Sequence, residues 1–342
     1  MLQYGDISPA VAAYAVVRML DRAMPMLQLE KFGQVYVLPT NSTQTAKFRR
    51  YYLSGATGAA GNGSGNFLIP TATTPLVEGV TPSGSTLANT DYSVSVAQYG
   101  DFITITDVVM DTHTDNVLQS ATDILGEEAA VTVETLRFNV LKAGTNVFYA
   151  NNVGGRSSVV AAVALADLRR VATALNRQNA KKITSVVAST PDYNTKSVEA
   201  GYMCVVHPDA ETDIRSITGY KPVADYGPHT SPMEGEIGSV EQVRFLTSTV
   251  CAPFADAGGA KGSMRSTSGT SADVYPFLIF ARDAFGIVPL KGKGSMAAMV
   301  VNPKPAAGDP LAQRGTVGWK LWTATVILQD LFMARLECAC TA

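Results

Sequence analysis

Three histidines, His113, His207 and His229, are the only imidazoles in 342 residues. None falls in an H-E-x-x-H helix or a zinc-ligand spacing. His207, directly before Pro208, is the one placed like a general base at the end of an apolar run, and a soluble hydrolase built on it is one reading of the chain. The plainer reading is a strand-end histidine with a structural job. Cys338-Ala339-Cys340 offers two thiolates but needs two further ligands to hold a metal; otherwise these are free thiols. The glycines at 58, 61, 63 and 65 are spaced like a phosphate-binding loop, yet they lack the lysine and the strand–turn–helix setting that such loops require. Gly292-Lys293-Gly294-Ser295 has the wrong order for a P-loop, and no G-x-S-x-G elbow occurs. The remaining candidates are charges on one extended segment. Lys47 and Arg49 fall on one face, Arg50 on the other with Phe48 and Tyr52. They form either a solvated strand face or an intersubunit salt-bridge site reaching Glu78 or acids of a neighbour, with Arg50 lying along aromatic surface and its head on a carboxylate. No catalytic residue, cofactor site or metal site is assigned; the chain reads as a non-enzyme.

The composition agrees. Charged residues make up 16% of the chain and hydrophobic ones 46%; globular domains carry about 25% charged, so much of this surface is expected to face neighbours. A net charge of −2 is wrong for a protein that grips nucleic acid through a basic face. No apolar run reaches the roughly 18 residues of a membrane span. The opening residues lack a basic region before their short apolar run, and four cysteines are sparse for a disulfide scaffold. Cytoplasmic synthesis follows as the expectation.

The element that must position everything else is a long helix over residues 114–142. Leu118, Ala121, Leu125, Ala129, Thr132, Leu136 and Val140 make one apolar row, with Val117, Ile124, Val131 and Phe138 beside it. Gln119, Asp123, Glu127, Glu134 and Arg137 are expected on the opposite side. N-cap candidates are Asp111, Thr112, Thr114 and Asp115, and Gly144 suits the stop. Before it, residues 9–24 read as an amphipathic helix that packs on a neighbour or folds back. Val35–Leu38, Thr45–Tyr52, Tyr92–Val96 and Asp101–Thr106 read as strands. Ser54–Asn66 is glycine and small polar residues, a loop tip. Residues 45–99 thus make a long two-stranded arm that needs support, since an isolated hairpin is marginal. Further on, Leu165–Lys182 is a helix, Tyr202–Val206 a buried strand, and His207 opens a short helix to Ile217. Gly219–Gly238 and Gly258–Ser271 read as surface loops. Val243–Thr249, Pro276–Ala281, Ala284–Pro289 and Met296–Val301 are strands, Pro303–Pro310 a turn cluster, and Trp319–Leu328 with Leu331–Glu337 two closing strands around a turn at Gln329-Asp330.

This order resembles the major capsid protein fold of tailed phages, the Hong Kong 97 type. A closer resemblance, to the coat-protein family named after coliphage N-four, rests on short motifs spread over residues 36–337. These are Leu76-Val77-Glu78-Gly79-Val80-Thr81-Pro82, Gln98-Tyr99-Gly100, His207-Pro208-Asp209 with Asp213-Ile214-Arg215, Gly235-Glu236-Ile237-Gly238 with Val243-Arg244-Phe245, and Gly315-Thr316-Val317-Gly318-Trp319-Lys320. The resemblance implies an α+β chain with an N-terminal arm (1–44), an extended β-hairpin E-loop (45–99), a P-domain with the spine helix (100–150), an α/β A-domain (151–309) and returning P-domain strands (310–342). It implies a structural protein that self-assembles through pentamers and hexamers into an icosahedral head around double-stranded DNA, with portal, scaffolding and decoration proteins as partners and no cofactor or membrane. Its place would be the virion capsid, after synthesis in the bacterial host. An encapsulin-like compartment is the alternative on the same fold.

Overall fold

The computed structural model describes residues 27–53, 75–81, 87–112, 117–189, 195–227, 233–292, 297–301 and 310–342. The expected leading helix at 9–24, the loop tip Ser54–Asn66, the N-cap candidates Thr114 and Asp115, His113, His229, residues 293–295 and most of the turn cluster from Pro303 lie outside them.

Uninterrupted apolar runs become strands covered on both faces. The largest sheet has seven, in the order β5-β15-β10-β6-β9-β8-β7: β5 (Val147–Tyr149), β6 (Tyr202–Val206), β7 (Tyr220–Pro222), β8 (Glu236–Val240), β9 (Val243–Thr247), β10 (Tyr275–Phe280) and β15 (Met333–Cys338). Pairing is mixed, with β6–β9 and β15–β5 parallel. In β6, Tyr202, Cys204 and Val206 join a core with Leu168, Val171 and Leu175 of helix α3 (Leu165–Arg177) and Ile214 of the short helix α4 (Glu211–Ser216). Met203 and Val205 join a second core on the other face with Leu29, Phe138 and Leu141. A strand buried twice cannot alternate apolar with polar, which is why YMCVV reads as a solid block.

A second layer is built on the long helix. Helix α1 (Asp107–Thr112) leads into α2 (Val117–Leu141), about 37 Å of rise for its 25 residues. Against α2 lies a three-stranded antiparallel sheet, β12-β13-β4, made of β12 (Ala297–Val301), β13 (Arg314–Thr323) and β4 (Ala97–Thr106). Ile105, Val317, Trp319 and Leu321 pack on Ala121, Leu125, Ala129, Ala130 and Val133. The small residues at 121, 129 and 130 let the sheet approach closely, and the Trp319 indole N–H donates to Glu128. A small sheet of β1 (Gln34–Val35), β11 (Phe285–Ile287) and β14 (Thr325–Ile327) joins the two layers, and the hairpin of β2 (Thr45–Leu53) and β3 (Leu87–Ser95) projects from its side.

Several expectations are corrected. Glu134 and Arg137, placed on the outer face of the helix, are buried, at 0% and 4% exposure. The segment around Gln28–Phe32 docks on that flank: Glu134 Oε1 accepts the main-chain N–H groups of Gln28 (3.0 Å) and Leu29 (2.8 Å), and Arg137 pairs with Glu30 at 3.0 Å. Ile124, read as part of the covered surface, is 60% exposed. Gly219–Gly238 is not all surface loop, because it contains β7 and the start of β8, a strand whose charged first residue hid its burial. The closing strands do not form one hairpin: β13, β14 and β15 enter three different sheets.

Candidate assembly surface

Alternation along the hairpin decides where each charge goes. On one face Ala46 and Val96 are buried, and Phe48 and Val94 pack with Leu38, Val288, Leu290 and Trp322 of the same chain. The Phe48 ring meets Tyr36 edge-on at 5.6 Å, and the ring leaves no room for a side chain at Gly286. So the base of the arm rests on its own chain, whereas the sequence pointed to a neighbour for all of it. Towards the free end, Tyr51 and Leu87 are exposed.

The basic cluster splits accordingly. Arg49 and Asp91 face each other in register across the hairpin, and the guanidinium donates to both carboxylate oxygens, at 2.7 and 2.9 Å. These two hydrogen bonds are the first cause holding the Asp91 carboxyl below its ordinary range, with Arg49 and Lys47 adding charge attraction. Lys47 is exposed on the same outer face. Arg50 points the other way, half-buried, with its guanidinium 5.6 Å from the Phe332 ring centre and a hydrogen bond to Gln329 Oε1. The aromatic surface expected for Arg50 is present, but this partner is an amide of the same chain rather than a neighbour's carboxylate, because β2 packs that face onto the turn after β14. Glu78 is not brought to the cluster by any ion pair among the described residues. It stands on an exposed turn closed by the Val80 N–H on the Val77 carbonyl, with Gly79 at φ +80°.

The groups with chemical potential are otherwise committed to structure. His207 Nδ1 accepts the Asp209 N–H at 3.2 Å, and burial lowers the imidazole's pKa, so a neutral ring caps the turn after β6. Asp209 in turn accepts from Tyr275 and pairs with Arg265. All four cysteines are buried free thiols, and burial pushes each of them up out of the reactive range. Among the described residues no three metal-binding side chains gather.

Sequence reasoning missed the polar framework inside the body. Arg244 and Glu236 form a buried two-pronged pair at 2.7 and 2.8 Å, and Tyr226 donates to the same carboxylate. Glu337, fully buried, takes Arg156 on both oxygens and Arg335 on one. Arg335 also reaches the carbonyls of Lys142 and Gly144 at the end of α2, where a cation complements the helix dipole. Asp213 accepts from Thr341. The available signal was the isolated charges in β-strand patterns, such as Glu236 and Arg244, at positions where a surface charge would break the apolar run.

Uncovered apolar side chains lie elsewhere. On the sheet face turned away from α2, Phe102, Met299 and Val301 are exposed, as are Leu76, Val77 and Val80 around the Glu78 turn.

A family model described as "Phage capsid protein" matches residues 89–336. No curated protein matches the chain. Among solved structures, the capsid of Ralstonia phage GP4 aligns with TM-score 0.63 at 13% identity, covering 93% of this chain and 92% of that one. The cyanophage Pam1 capsid asymmetric unit aligns with TM-score 0.56 at 16% identity, covering 94% and 92%. A virus-like particle from Pyrococcus furiosus aligns with TM-score 0.50 at 9% identity, covering 96% and 100%. At these identities the structural likeness carries the fold.

Proposed function

This chain belongs to the phage capsid protein family, and from that premise we propose how it builds a shell. It is a structural major capsid protein, not an enzyme, and its fold is of the Hong Kong 97 type. The chain assembles with copies of itself, as pentamers and hexamers, into an icosahedral head around double-stranded DNA. The hairpin at 45–99 is the E-loop, α2 the spine helix, the layer containing it the P-domain, and the seven-stranded body the A-domain. Within the family, the motifs named above favour the branch named after coliphage N-four. Synthesis in the bacterial cytoplasm and partnership with portal, scaffolding and decoration proteins follow from the same reading.

The observation that carries this is a division of labour. Among the described residues the body packs two large apolar cores within one chain, while a projecting hairpin and one sheet face leave apolar side chains open; large open apolar surface marks interaction sites. Lys47 and Arg49 lie on the outer hairpin face, placed for a neighbour; Arg50 steadies the hairpin on its own chain; Glu78 sits at the far turn. The net charge of −2 suits a wall that confines DNA without binding it. The family match favours the phage head over the cargo compartment.

The test is to purify the full chain and examine it by sedimentation and electron microscopy. Closed icosahedral shells are expected. A stable monomer under all assembly conditions, including with a co-expressed scaffolding protein, would overturn the reading.

A further inference from the structure

Between β9 and β10 the chain makes an irregular ribbon, residues 254–274, closed by the pairs Phe254–Val274 and Ala260–Ser271. Its base is fixed, since Val159, Ala272, Val274 and Ala339 form a small core there. Its tip, residues 261–270, is mostly exposed. Asp256 holds the tip together by accepting from Ser266, Ser268 and the Gly269 N–H. Two main-chain bonds lay the tip on the segment after β15: the Arg265 N–H donates to the Cys340 carbonyl at 2.8 Å, and the Ala342 N–H to the Ser263 carbonyl at 3.2 Å. Among the described residues one ion pair ties the tip to the body, Arg265 to Asp209 Oδ2 at 2.5 Å.

That oxygen is contested. Tyr275 of β10 donates to it at 2.8 Å, and His207 Nδ1 stands 3.3 Å from it. Asp209 from the turn, Arg265 from the tip and Tyr275 from β10, its ring 5.6 Å away, are the titratable groups that face the imidazole. In the neutral ring Nδ1 carries a lone pair and accepts the Asp209 N–H. A proton on Nδ1 ends that bond and makes the same atom a charged donor beside Oδ2. The oxygen then meets three donors, two of them cations. Tyr275 is buried in its strand, at 2% exposure. The Arg265 side chain is 46% exposed, so water replaces its lost partner at little cost. Arg265 is therefore the donor that leaves.

We propose that His207, Asp209 and Arg265 form a pH-operated latch on the 261–270 tip, closed while the imidazole is neutral and open once it is protonated. Burial lowers the imidazole's pKa, Asp209 opposes that, and the Arg265 charge adds to it. A lowered imidazole supports the fold above its unfolded pKa of about 6.5 and loses that contribution as pH falls through the folded value. The latch is thus shut at neutral pH and opens in acid. Asp256, held below its ordinary range first by Ser266 and then by Ser268, stays ionised there, so the tip lifts as a folded piece while its base stays packed. The latch belongs to the single chain and does not depend on shell assembly.

The test is hydrogen–deuterium exchange of the full chain between pH 7.5 and 5, read at the Arg265 and Ala342 amides that bridge the tip and the segment after β15. Each variant is compared with the native chain at the same pH, so the intrinsic pH dependence of exchange cancels. His207→Asn keeps an acceptor at the cap and does not titrate. At pH 7.5 it matches the native chain. At pH 5 the native chain exchanges roughly ten- to hundredfold faster than the variant, the scale of one charge-assisted hydrogen bond. Arg265→Ala lacks the ion pair and exchanges fast already at pH 7.5, and the native chain converges on it at pH 5. A native chain that keeps pace with His207→Asn down to pH 5 overturns the latch, as does an Arg265→Ala chain that exchanges like the native one at pH 7.5. Should His207→Asn not fold, the native chain and Arg265→Ala decide alone, and failure to converge at pH 5 overturns the latch.

Discussion

The seven-stranded body and the hairpin carry the same kind of ion pair to opposite ends. In the body, Arg244–Glu236 is sealed from water, and Glu337 is buried between Arg335 and a partly exposed Arg156. On the hairpin, Arg49–Asp91 has the same two-pronged geometry at the surface, open to solvent on one side. Removing one partner of a sealed pair strands a charge in a poor dielectric, whereas water replaces a lost partner at the surface. The body is therefore built to be a finished object before assembly, and the hairpin is built to be renegotiated with whatever it touches.

Five substitutions sharpen or break that contrast. Leu125→Asp places an unpaired carboxylate between α2 and its sheet, where Leu125 is 2% exposed; no folded chain is expected, as read by circular dichroism. A normally folded monomer would mean that the long helix serves a partner rather than its own domain. Arg244→Met should cost about 3–5 kcal/mol of monomer stability in denaturant unfolding, because Glu236 stays buried without its cation. A loss under about 1 kcal/mol, the scale of exposed pairs, would erase the distinction between the two regions.

Glu134→Gln tests the join between leading segment and helix by pH. Burial raises the folded-state pKa of Glu134, ahead of the opposing hydrogen bonds from Leu29 and Gln28 and the attraction of Arg137. A raised carboxyl stabilises the fold fully below its unfolded pKa and loses that contribution as pH climbs through the folded value. Glutamine can keep both main-chain hydrogen bonds and does not titrate. Melting measured from pH 4 to 7 should thus show the variant gaining on the native chain as pH rises; parallel curves would mean that the carboxylate is stabilised in place. The smallest effects belong to the arm. Arg50→Ala should cost the monomer about 1 kcal/mol, for its hydrogen bond and its contact with Phe332. Arg49→Ala should leave monomer melting unchanged.

Those two arginines also show what a sequence can and cannot reveal. Period-2 alternation suffices to send Arg49 outward and Arg50 inward, and the helix, its sheet and the block strands follow from apolar spacing alone. The partner of Arg50 is not legible, since Gln329 lies 279 residues away and is delivered by a turn between two sheets. Glu134 and Arg137 were misplaced for a related reason: helical periodicity assigns faces by polarity, and here a docked segment needed a polar anchor. The motifs behind the family resemblance, among them Glu236 with Arg244 and His207 with Asp209, prove to be pieces of buried or capping networks. Their spacing matters because three-dimensional pairing holds it, which no local propensity encodes.

The strand β15 lies between β5 and β10, in the interior of the largest sheet. A ribosome makes β5 and β10 first and β15 only afterwards, and the hairpin's seat on Val288, Leu290 and Trp322 also follows the hairpin by some two hundred residues. At about 5–20 residues per second, a nascent chain spends roughly 10–40 s with its arm unseated, and roughly 3–11 s between β10 and β15 with its main sheet open in the middle. A growing shell that selects for a seated arm would pass over such chains, so translation order itself screens truncated products from the wall.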